Sequence, residues 1–460
     1  MKVAGIILAA GKGTRMKSDL PKGLFAACGV PMVELIGRAM RGAGIDRPVV
    51  ITGHRGELLR EAFGDRYEYA VQEQQMGTGH AAMMARDVLA HHVGPVVVTP
   101  GDTPLLTAEA LNGLIETHLR EGAECTMATV TFEDPTGYGR VLRDSDGVAC
   151  QIVEEKDATP EQRRLKEVCV SVYCFSGPTL FRLLPTLSTD NAQGEYYLTD
   201  MIGAVYKDGG RVATHAFEEA ETMLGVNDRW QLAQASAILR SRILRKHALN
   251  GVTIVDPTNT YIGFDVEIGT DTTIQPMTNI EGSTVIGEGC EIGPNTRVED
   301  STIGRGCTVL MSHLARAVLK DRARCGPYAN LRPGAVLGED VKVGNFVEIK
   351  NATLGPKSSV SHLTYIGDAE VGARTNVGAG TITCNYDGFA KHRTVIGEDA
   401  FIGSNTTLIA PLKIGDGAFV AAGSVINKEV PANALAVGRS RQEVREEWAA
   451  HWREKKAKNT

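Results

Sequence analysis

The chain contains 460 residues, 43% of them hydrophobic, and its 49 Lys and Arg against 55 Asp and Glu give a formal net charge of −6. Because one hydrophobic core usually serves about 100–200 residues, we expect two or three domains. The negative balance argues against a nucleic-acid partner, although it is compatible with a local basic pocket for a phosphate. The nine cysteines are scattered and never spaced CxxC, which disfavours disulfide and zinc frameworks and fits a reducing cytoplasm.

The first apolar segment, VAGIILAA, is short and ends at Lys12 and Arg15 rather than at a small-residue cleavage site. A secretory signal is therefore disfavoured. No other segment approaches the roughly 18 apolar residues of a membrane span. We expect a cytoplasmic protein without a membrane partner.

Short apolar runs alternate with longer amphipathic segments over residues 1–226, which is typical of an α/β domain. VAGIILAA, PVVIT and GPVVVTPGD are rich in Val or Ile and are followed by Gly or polar residues, which predicts buried parallel strands. The loop GKGTRM, after the first of them, has two glycines that allow backbone N–H groups to approach a phosphate. It fits neither GxGxxG nor GxxxxGK[ST], so a plain strand-to-helix connection remains an alternative.

One long helix is predicted over residues 227–250. Its start has two candidate caps, Asn227 and Asp228, and Gly251 can close it. Apolar residues recur inside it at helical spacing, at Leu232, Ala235, Leu239 and Ile243. The sequence therefore predicts a connecting helix between two domains.

Aliphatic residues recur at steps of six after this helix. The clearest runs are Ile262, Ile268, Ile274, Ile280, Ile286, Ile292 and Val298, and later Ile396, Ile402, Leu408, Ile414, Val420 and Ile426. This period predicts short strands stacked in a solenoid, because the strands of the alternative, a β-sandwich, are spaced irregularly at about 8–12 residues. The period breaks at residues 312–333 and 383–394, which we expect to leave the solenoid as loops on a binding face.

Several short motifs then point to a family. They occur in the order LAAGKGTRM, LPK, QMGTGHA, PGD, GYGR, IVEEKDA and GVND. Together they resemble the signature of sugar-nucleotide pyrophosphorylases, and the six-residue repeats look like those of left-handed β-helix acyltransferases. The whole chain resembles the bifunctional family that joins the two. The resemblance implies a Rossmann-like α/β nucleotidyltransferase domain (1–226), a linker helix (227–250) and a left-handed parallel β-helix of hexapeptide repeats with a C-terminal tail (251–460).

The resemblance also implies two reactions of UDP-N-acetylglucosamine biosynthesis. The C-terminal domain would acetylate glucosamine 1-phosphate with acetyl-CoA, and the N-terminal domain would transfer a uridylyl group from UTP to N-acetylglucosamine 1-phosphate, releasing pyrophosphate. Members of the family are trimers, so a homotrimer is implied. Two alternatives remain: a nucleotidyltransferase for another sugar with a structural or regulatory β-helix, and a binding protein with an inactive nucleotide site.

Uridylyl transfer brings two polyanions together, which requires positive charge and positioning rather than a covalent nucleophile. Arg15 and Lys22 are the candidate catalytic residues beside the glycine loop. Asp102 and Asn227 are the candidate Mg²⁺ ligands, with a turn residue and a helix cap as the alternatives. The resemblance implies that substrates are bound by Leu8, Ala9, Gly11, Gln72, Gly77, Thr78, Gly139, Glu154 and Cys169.

The chain departs from the family at Cys169, Val170 and Ser171, where the family has Asn-Thr-Gly. In the family that Asn contacts the sugar, and a thiol is a poorer hydrogen-bond partner than an amide. The departure therefore predicts a change in sugar specificity or in the way the sugar binds. The alternative is that a neighbouring side chain replaces the lost contact.

Acetyl transfer to an amine needs a base and donors for the developing oxyanion. His362 in SHLTYIGD is the candidate base and Glu348 the group expected to orient it, with a solvated surface histidine as the alternative. The resemblance implies sugar binding by Arg332, Lys350, Tyr365, Asn376, Asn385, Tyr386 and Lys391. It implies acetyl-CoA contacts at Ala379, Ser404, Ala422 and Arg439, and the Ala379 N–H is the candidate oxyanion donor.

Overall fold

The protein is described by a computed structural model that covers residues 2–458. The chain divides into two compact units, residues 1–242 and residues 243–460. None of the α-helices within the described residues has the length and hydrophobicity needed to cross a membrane.

The first unit is an α/β structure. Its strands are β1 (Ala4–Ala9), β2 (Ala26–Ala27), β3 (Val30–Pro31), β4 (Val49–Thr52), β5 (Glu68–Val71), β6 (Pro95–Pro100), β7 (Cys125–Thr131), β8 (Gly139–Arg143), β9 (Ala149–Val153), β10 (Glu167–Ser176) and β11 (Val212–Ala216). Its helices are α1 (Met32–Gly42), α2 (Gly56–Phe63), α3 (Thr78–Met83), α4 (Ala108–Glu121), α5 (Gly177–Leu183) and α6 (Asp200–Lys207).

The sheet of this unit has the order β11-β7-β10-β6-β1-β4-β5, and the antiparallel pair β8–β9 joins it through β10. Strands β6, β1, β4 and β5 are parallel. Neighbouring residues such as Ile6 and Ile7 are fully buried in two different cores, one on each face of the sheet. The three strands predicted from the apolar runs are β1, β4 and β6, so that prediction is confirmed.

A long helix, α7 (Arg229–Leu249), lies within the predicted segment 227–250. The Asp228 carboxylate accepts a hydrogen bond from the Gln231 amide at 2.8 Å, which makes Asp228 the capping residue. Ala235, Leu239 and Ile243 are buried. The helix is therefore as predicted, while the functional domain limits at 226 and 250 stay a prediction.

The second unit is a left-handed parallel β-helix of three sheets. The first sheet contains β12 (Thr253–Ile254), β15 (Thr273–Ile274), β18 (Glu291–Ile292), β21 (Thr308–Val309), β24 (Arg324–Cys325), β27 (Lys342–Asn345), β30 (Ser359–His362), β33 (Asn376–Val377), β36 (Phe401–Ile402), β39 (Phe419–Val420) and β41 (Leu435–Ala436). The second contains β13 (Tyr261–Ile262), β16 (Asn279–Glu281), β19 (Arg297–Glu299), β22 (His313–Ala315), β25 (Asn330–Leu331), β28 (Glu348–Lys350), β31 (Tyr365–Gly367), β34 (Ile382–Cys384), β37 (Thr407–Ile409) and β40 (Val425–Ile426). The third contains β14 (Glu267–Ile268), β17 (Val285–Ile286), β20 (Thr302–Ile303), β23 (Val318–Leu319), β26 (Val336–Leu337), β29 (Thr353–Leu354), β32 (Ala369–Val371), β35 (Thr394–Ile396) and β38 (Leu412–Ile414).

The six-residue period places one inward aliphatic residue on each strand. Ile262 lies in register with Ile280, and Ile274 with Ile292, so equivalent residues stack from coil to coil. These four side chains are at most 2% exposed. A final helix, α8 (Trp448–Ala457), follows the coils and is exposed.

The two predicted breaks have different outcomes. Residues 312–333 do not leave the solenoid, because β22 to β25 continue the three sheets through them. The inward residues Val309, Leu314 and Leu319 are separated by five residues instead of six yet remain buried, so a shorter corner changed the spacing without breaking the coil. The prediction of a loop there is wrong. Residues 383–394 do include a loop, between β34 and β35, closed by an antiparallel bridge of Tyr386 with Lys391.

Candidate active sites

The first candidate site is a cavity of about 740 Å³ beside the carboxyl ends of β1, β5 and β6. Open α/β sheets bind ligands at such strand ends. The predicted residues in its wall are Leu8, Gly11, Gln72, Gly77, Thr78, Asp102 and Glu154. The other predicted residues of this unit lie outside the wall: Ala9, Arg15, Lys22, Gly139, Cys169 and Asn227.

The glycine loop forms one side of this cavity, through Lys12, Gly13 and Thr14. Gly13 has a φ of 58°, and a Cβ there would lie 3.0 Å from the Lys22 Cβ. Only glycine combines a positive φ with so little space for a side chain without strain. Glycine at this position therefore lets the loop pass close to Lys22. These three loop residues belong to GKGTRM, but sequence reasoning did not single them out.

Lys22 contacts both candidate metal ligands, and Arg15 contacts one of them. Lys22 Nζ forms an ion pair with Asp102 and donates to Asn227 Oδ1 at 3.0 Å, while Arg15 Nη2 donates to the same oxygen at 2.7 Å. The Val226 amide donates to the Asp102 carbonyl at 2.8 Å, which ties the segment before α7 to the end of β6. The structure therefore brings together four residues that are far apart in the sequence.

The donor set at this point fits Mg²⁺. The Asp102 carboxylate and the Asn227 amide carbonyl both face the Lys22 ammonium, so their oxygens converge on one small region. Mg²⁺ prefers oxygen ligands and commonly binds one or two protein groups together with substrate phosphates and water. No group of three or more His, Cys, Asp or Glu side chains within the described chain is arranged to hold a metal, so an ion here would depend on such additional ligands.

A second part of the cavity wall is held by amide contacts. The buried Gln72 donates from Nε2 to the Gly77 carbonyl at 3.0 Å. Gly77 has a φ of 105°, and a Cβ there would lie 2.5 Å from the Tyr196 carbonyl oxygen. Thr78 Oγ1 accepts from the Leu198 amide at 3.0 Å. The motif QMGTGHA is therefore fixed against the segment 196–198.

Glu154 lies in a third part of the wall. Burial raises its pKa and outweighs the opposing effect of the hydrogen bond from Thr199 Oγ1, which is 2.9 Å from Glu154 Oε1. A Cβ on Gly139 would lie 3.5 Å from Glu154 Oε2 and 2.7 Å from Ile152, so glycine is needed beside this carboxylate.

Cys169 lies behind the wall rather than in it, because its side chain is buried. Its thiol donates to Tyr173 Oη at 3.3 Å, and the wall here is formed by Ser171 and Tyr173. Sequence reasoning missed Tyr173 and also Thr199 and Glu195 in the wall. Tyr173 follows Cys169 on the same strand, but the segment with Glu195 and Thr199 carries no motif that would have revealed it.

The second candidate site includes a cluster of cations beside the second sheet of the β-helix. Lys350 lies next to Lys391, and its ammonium lowers the pKa of Lys391. Arg332 donates to Glu348 at 2.9 Å. Positive charges held this close together favour an anionic ligand.

Asp368, which sequence reasoning did not identify, organises the residues around these cations. It accepts hydrogen bonds from Asn351 at 2.6 Å and from Asn385. Burial alone would raise the pKa of Asp368, but these bonds and the charges of Lys350 and Lys391 lower it. Asn385 Nδ2 also donates to Tyr365 Oη at 3.4 Å. Three predicted residues, Asn385, Lys350 and Lys391, therefore lie around one carboxylate.

His362 ends β30 at the corner between the first and second sheets. Its Nδ1 lies 2.7 Å from Asn345 Oδ1, on the adjacent coil and in register with it. Glu348 lies on the second sheet and pairs with Arg332. In this structure Asn345 contacts the imidazole and Glu348 pairs with Arg332, so the prediction that Glu348 orients His362 stays a prediction.

The predicted acetyl-CoA residues lie at the same corner as His362, on the coils that come after it. The Gly380 amide donates to the His362 carbonyl at 3.2 Å, the Asn405 amide to Ala379 at 2.7 Å and the Gly423 amide to Ser404 at 2.8 Å. Ala422 precedes Gly423, and Arg439 Cδ lies 3.8 Å from the Cβ position of Gly423. In the described part of the chain, the Ala379 amide has no acceptor.

Two predicted sugar-binding residues are not brought into these clusters. Asn376 is exposed at the start of β33 on the first sheet, whereas Tyr365 lies on the second. Tyr386 is 61% exposed on the loop after β34, where its hydroxyl donates to the Gly388 carbonyl.

Three family models match the chain. A MobA-like NTP transferase domain matches residues 5–192. A GlmU-like C-terminal hexapeptide model matches residues 291–377, and a bacterial transferase hexapeptide model of six repeats matches residues 393–428. The matches cover both units.

Relatives are similar along nearly the whole chain. The bifunctional protein GlmU of Heliobacterium modesticaldum is 49% identical over 445 residues, which is 97% of each chain. GlmU of Geobacillus thermodenitrificans is 46% identical over 456 residues, 99% of each chain, and GlmU of Streptococcus agalactiae serotype V is 46% identical over 444 residues, 96% of this chain and 97% of the relative. The chain therefore belongs to the GlmU family of bifunctional enzymes, with a UDP-N-acetylglucosamine pyrophosphorylase and a glucosamine-1-phosphate N-acetyltransferase in one polypeptide.

Proposed function

We propose that uridylyl transfer to N-acetylglucosamine 1-phosphate takes place in the cavity beside β1 and β6, within a domain of residues 1–226. The observation that carries this proposal is that Arg15, Lys22, Asp102 and Asn227 meet beside the glycine loop. Acetylation of glucosamine 1-phosphate takes place on the β-helix, residues 251–460, and its product is the sugar substrate of the first domain.

In the first reaction the sugar phosphate oxygen attacks the α-phosphorus of UTP and pyrophosphate leaves. Lys22 and Arg15 neutralise the approaching phosphates, and the backbone around Leu8, Ala9 and Gly11 holds their oxygens. Asp102 and Asn227 would hold Mg²⁺, which supplies further positive charge to the phosphates when bound. Gln72, Gly77 and Thr78 bind uracil, while Gly139, Glu154 and Cys169 form the side that receives the sugar.

In the second reaction the amine of glucosamine 1-phosphate attacks the thioester. His362 donates from Nδ1 to Asn345, which leaves Nε2 free to accept the proton of the amine. The Ala379 amide donates to the oxyanion as it forms. Arg332, Lys350 and Lys391 bind the sugar phosphate, and Glu348 holds Arg332 in place.

The remaining predicted residues position the two substrates of acetyl transfer. Tyr365, Asn376, Asn385 and Tyr386 bind the amino sugar. The corner residues Ser404, Ala422 and Arg439 contact acetyl-CoA.

The working unit is a homotrimer in which neighbouring β-helices complete each acetyl-transfer site. An apolar stripe next to the His362 corner supports self-association: Tyr328 and Phe346 stack at 5.2 Å and Leu363 follows, and they are 55%, 57% and 66% exposed. Asn376 and Tyr365 lie on different sheets of one chain. In a trimer, Asn376 of one copy would bind the same amino sugar as Tyr365 of a neighbouring copy. The nine cysteines are free, which supports a cytoplasmic location.

The first experiment measures pyrophosphate release with Mg²⁺, UTP and N-acetylglucosamine 1-phosphate, beside other sugar 1-phosphates and nucleoside triphosphates. Release of CoA thiol from acetyl-CoA with glucosamine 1-phosphate is measured on the same protein, and sedimentation gives the number of copies. Preference for the named substrates in both assays supports the proposal. Preference for another sugar would reject the named uridylyl acceptor.

A further inference from the structure

Ser171 is the one exposed residue of β10, a strand whose other residues are buried or half-buried. It also lies in the wall of the cavity of the α/β unit. Its neighbours Val170 and Val172 are buried in the core on the opposite face of the sheet. Ser171 therefore presents the side chain of this stretch that a ligand in the cavity can reach.

Cys169 and Tyr173, which flank Ser171 on its own face of the sheet, are covered instead. Cys169 is 3% and Tyr173 0% exposed, and Cys169 Sγ lies 3.3 Å from Tyr173 Oη. Burial raises the pKa of the Cys169 thiol to about 11, and hydrogen bonds from Tyr173 and from the Ser171 amide oppose this effect. The two buried residues therefore contact each other and support the backbone of Ser171, and the polar group offered to a ligand is the Ser171 hydroxyl.

The backbone at Ser171 is irregular. The pairing of β10 with β7 shifts between Cys169 and Tyr173, and Ser171 has a φ of 58°. A bulge of this kind changes the direction of the side chains of a strand, and a left-handed φ is costly for a residue other than glycine. Strained residues concentrate at ligand sites, where a function offsets the strain. A serine at this φ, with its side chain exposed in a cavity wall, indicates a function for its hydroxyl.

The chemistry around Ser171 suits a sugar. Glu154 lies in the same wall, and its charge acts on both Cys169 and Tyr173, which places the carboxylate beside the bulge. An ionised carboxylate only accepts hydrogen bonds, whereas a serine hydroxyl both donates and accepts them. Neighbouring hydroxyls of one sugar can donate to the carboxylate and exchange a hydrogen bond with the serine.

We propose that Ser171 is a sugar-binding residue whose hydroxyl forms a hydrogen bond with one hydroxyl of the sugar 1-phosphate, next to the hydroxyl that Glu154 binds. The inference rests on the proposed function, in which this side of the cavity receives the sugar. It assigns the polar contact from β10 to the exposed Ser171 rather than to the buried Cys169. Recognition of the sugar by this chain therefore depends on Ser171.

The test compares the wild-type protein with Ser171→Ala, which removes the hydroxyl. The substrates are UTP with N-acetylglucosamine 1-phosphate and with three analogues, each lacking one of its hydroxyls. We expect kcat/KM for the complete sugar to fall on the order of tenfold, which is the effect of losing one neutral hydrogen bond, while KM for UTP stays within about twofold. With the analogue that lacks the contacted hydroxyl, wild type and variant should have the same kcat/KM, because the bond is absent in both.

Ser171→Gly separates binding from folding. It also removes the hydroxyl, but glycine suits a φ of 58°, so this variant should unfold at a higher temperature than the wild type. It should nevertheless show the same loss of kcat/KM for the sugar, which a purely structural role of Ser171 would not produce in a stabilised protein. Ser176→Ala is the matched control, since Ser176 lies on the same strand outside the cavity wall, and its kinetics should be unchanged.

The outcomes separate two failures. If the wild-type protein does not use N-acetylglucosamine 1-phosphate, the proposed acceptor fails, and the role of Ser171 is decided by the same comparison on the sugar 1-phosphate that the protein prefers. If both Ser171 variants keep the wild-type kcat/KM, or lose it equally with every analogue, the role of Ser171 is overturned while the proposed function stands. Should Ser171→Ala not fold, Ser171→Gly decides.

Discussion

The two units assemble their candidate sites in different ways. In the α/β unit, residues as far apart as Lys22 and Asn227 meet because several strands end at one edge of the sheet. In the β-helix, neighbours are set by register: Asn345 lies beside His362 because each occupies the same place on successive coils. A periodic scaffold converts sequence spacing into contact, whereas an α/β sheet collects residues through its topology.

Because the two sites are built independently, a substitution in one should abolish its own activity and leave the other activity unchanged. His362→Ala removes the proposed base and should lower acetyl transfer by about 10²–10⁴-fold, the usual contribution of a general base. CoA thiol release measures the loss. Pyrophosphate release by the same variant should not change, and a parallel loss of both activities would contradict independent sites.

The reciprocal variant is Lys22→Ala. It removes the cation that contacts both Asp102 and Asn227, and pyrophosphate release should fall by about 10²–10³-fold, as for other groups that stabilise transition-state charge. Acetyl transfer should be unchanged. Lys12→Ala is a control from the adjacent glycine loop, because Lys12 is not among the residues that contact Asp102. A loss as large as that of Lys22→Ala would show that positive charge near the cavity, rather than the contact with Asp102, is what matters.

Much of the fold of both units, and part of each candidate site, was predictable from the sequence. Buried strands and the solenoid follow from apolar runs and a six-residue period, and Arg15, Lys22, Asp102 and Asn227 follow from motifs. Residues 312–333 were misread because a five-residue corner resembles a break in the period. Glu348 was predicted from its closeness in sequence to His362, whereas the residue that contacts the imidazole, Asn345, lies in register on the adjacent coil.

The α/β site was predicted least well around β10. The pairing of β10 with β7 has a bulge between Cys169 and Tyr173, and the local sequence does not show that the face of the strand with Tyr173 borders the cavity. Thr199 contacts Glu154 from a segment without regular spacing. Contacts of this kind depend on tertiary packing rather than on local sequence.

The orientation of His362 gives a sharper test of register against sequence proximity. Asn345→Leu removes the carbonyl that holds Nδ1–H, and kcat for acetyl transfer should fall on the order of tenfold with an altered pH profile. Glu348→Gln should instead raise KM for glucosamine 1-phosphate, because it loosens Arg332. If Glu348→Gln alters the pH profile and Asn345→Leu does not, Glu348 rather than Asn345 orients His362.

Burial of Glu154 predicts a pH dependence confined to the uridylyl site. The pKa of Glu154 is raised above the usual value of 4.5, so the carboxylate takes up a proton as the pH falls through the raised pKa. KM for N-acetylglucosamine 1-phosphate should then rise severalfold on acidification, while KM for UTP stays constant. Glu154→Gln should show a high KM without this pH dependence.

The same pKa predicts the sign of a stability effect. Above pH 4.5 the folded protein retains a proton on Glu154 that the unfolded chain releases, so this group makes the free energy of unfolding fall as the pH rises through the window. Glu154→Gln should therefore gain stability relative to the wild type toward neutral pH and lose that advantage below pH 4.5. Chemical denaturation at several pH values measures it, and a constant difference would argue against a raised pKa.

The smallest expected effect concerns the bulge itself. Ser171 adopts a left-handed φ of 58°, which costs a non-glycine residue about 1–2 kcal/mol, while glycine gives back about 0.5–1 kcal/mol through its more flexible unfolded chain. Ser171→Gly should therefore stabilise the α/β unit by about 0.5 kcal/mol. Ser176→Gly is the matched control on the same strand: its φ of −62° suits any residue, so it should destabilise. Equal shifts of the unfolding midpoint would mean that the bulge carries no backbone strain.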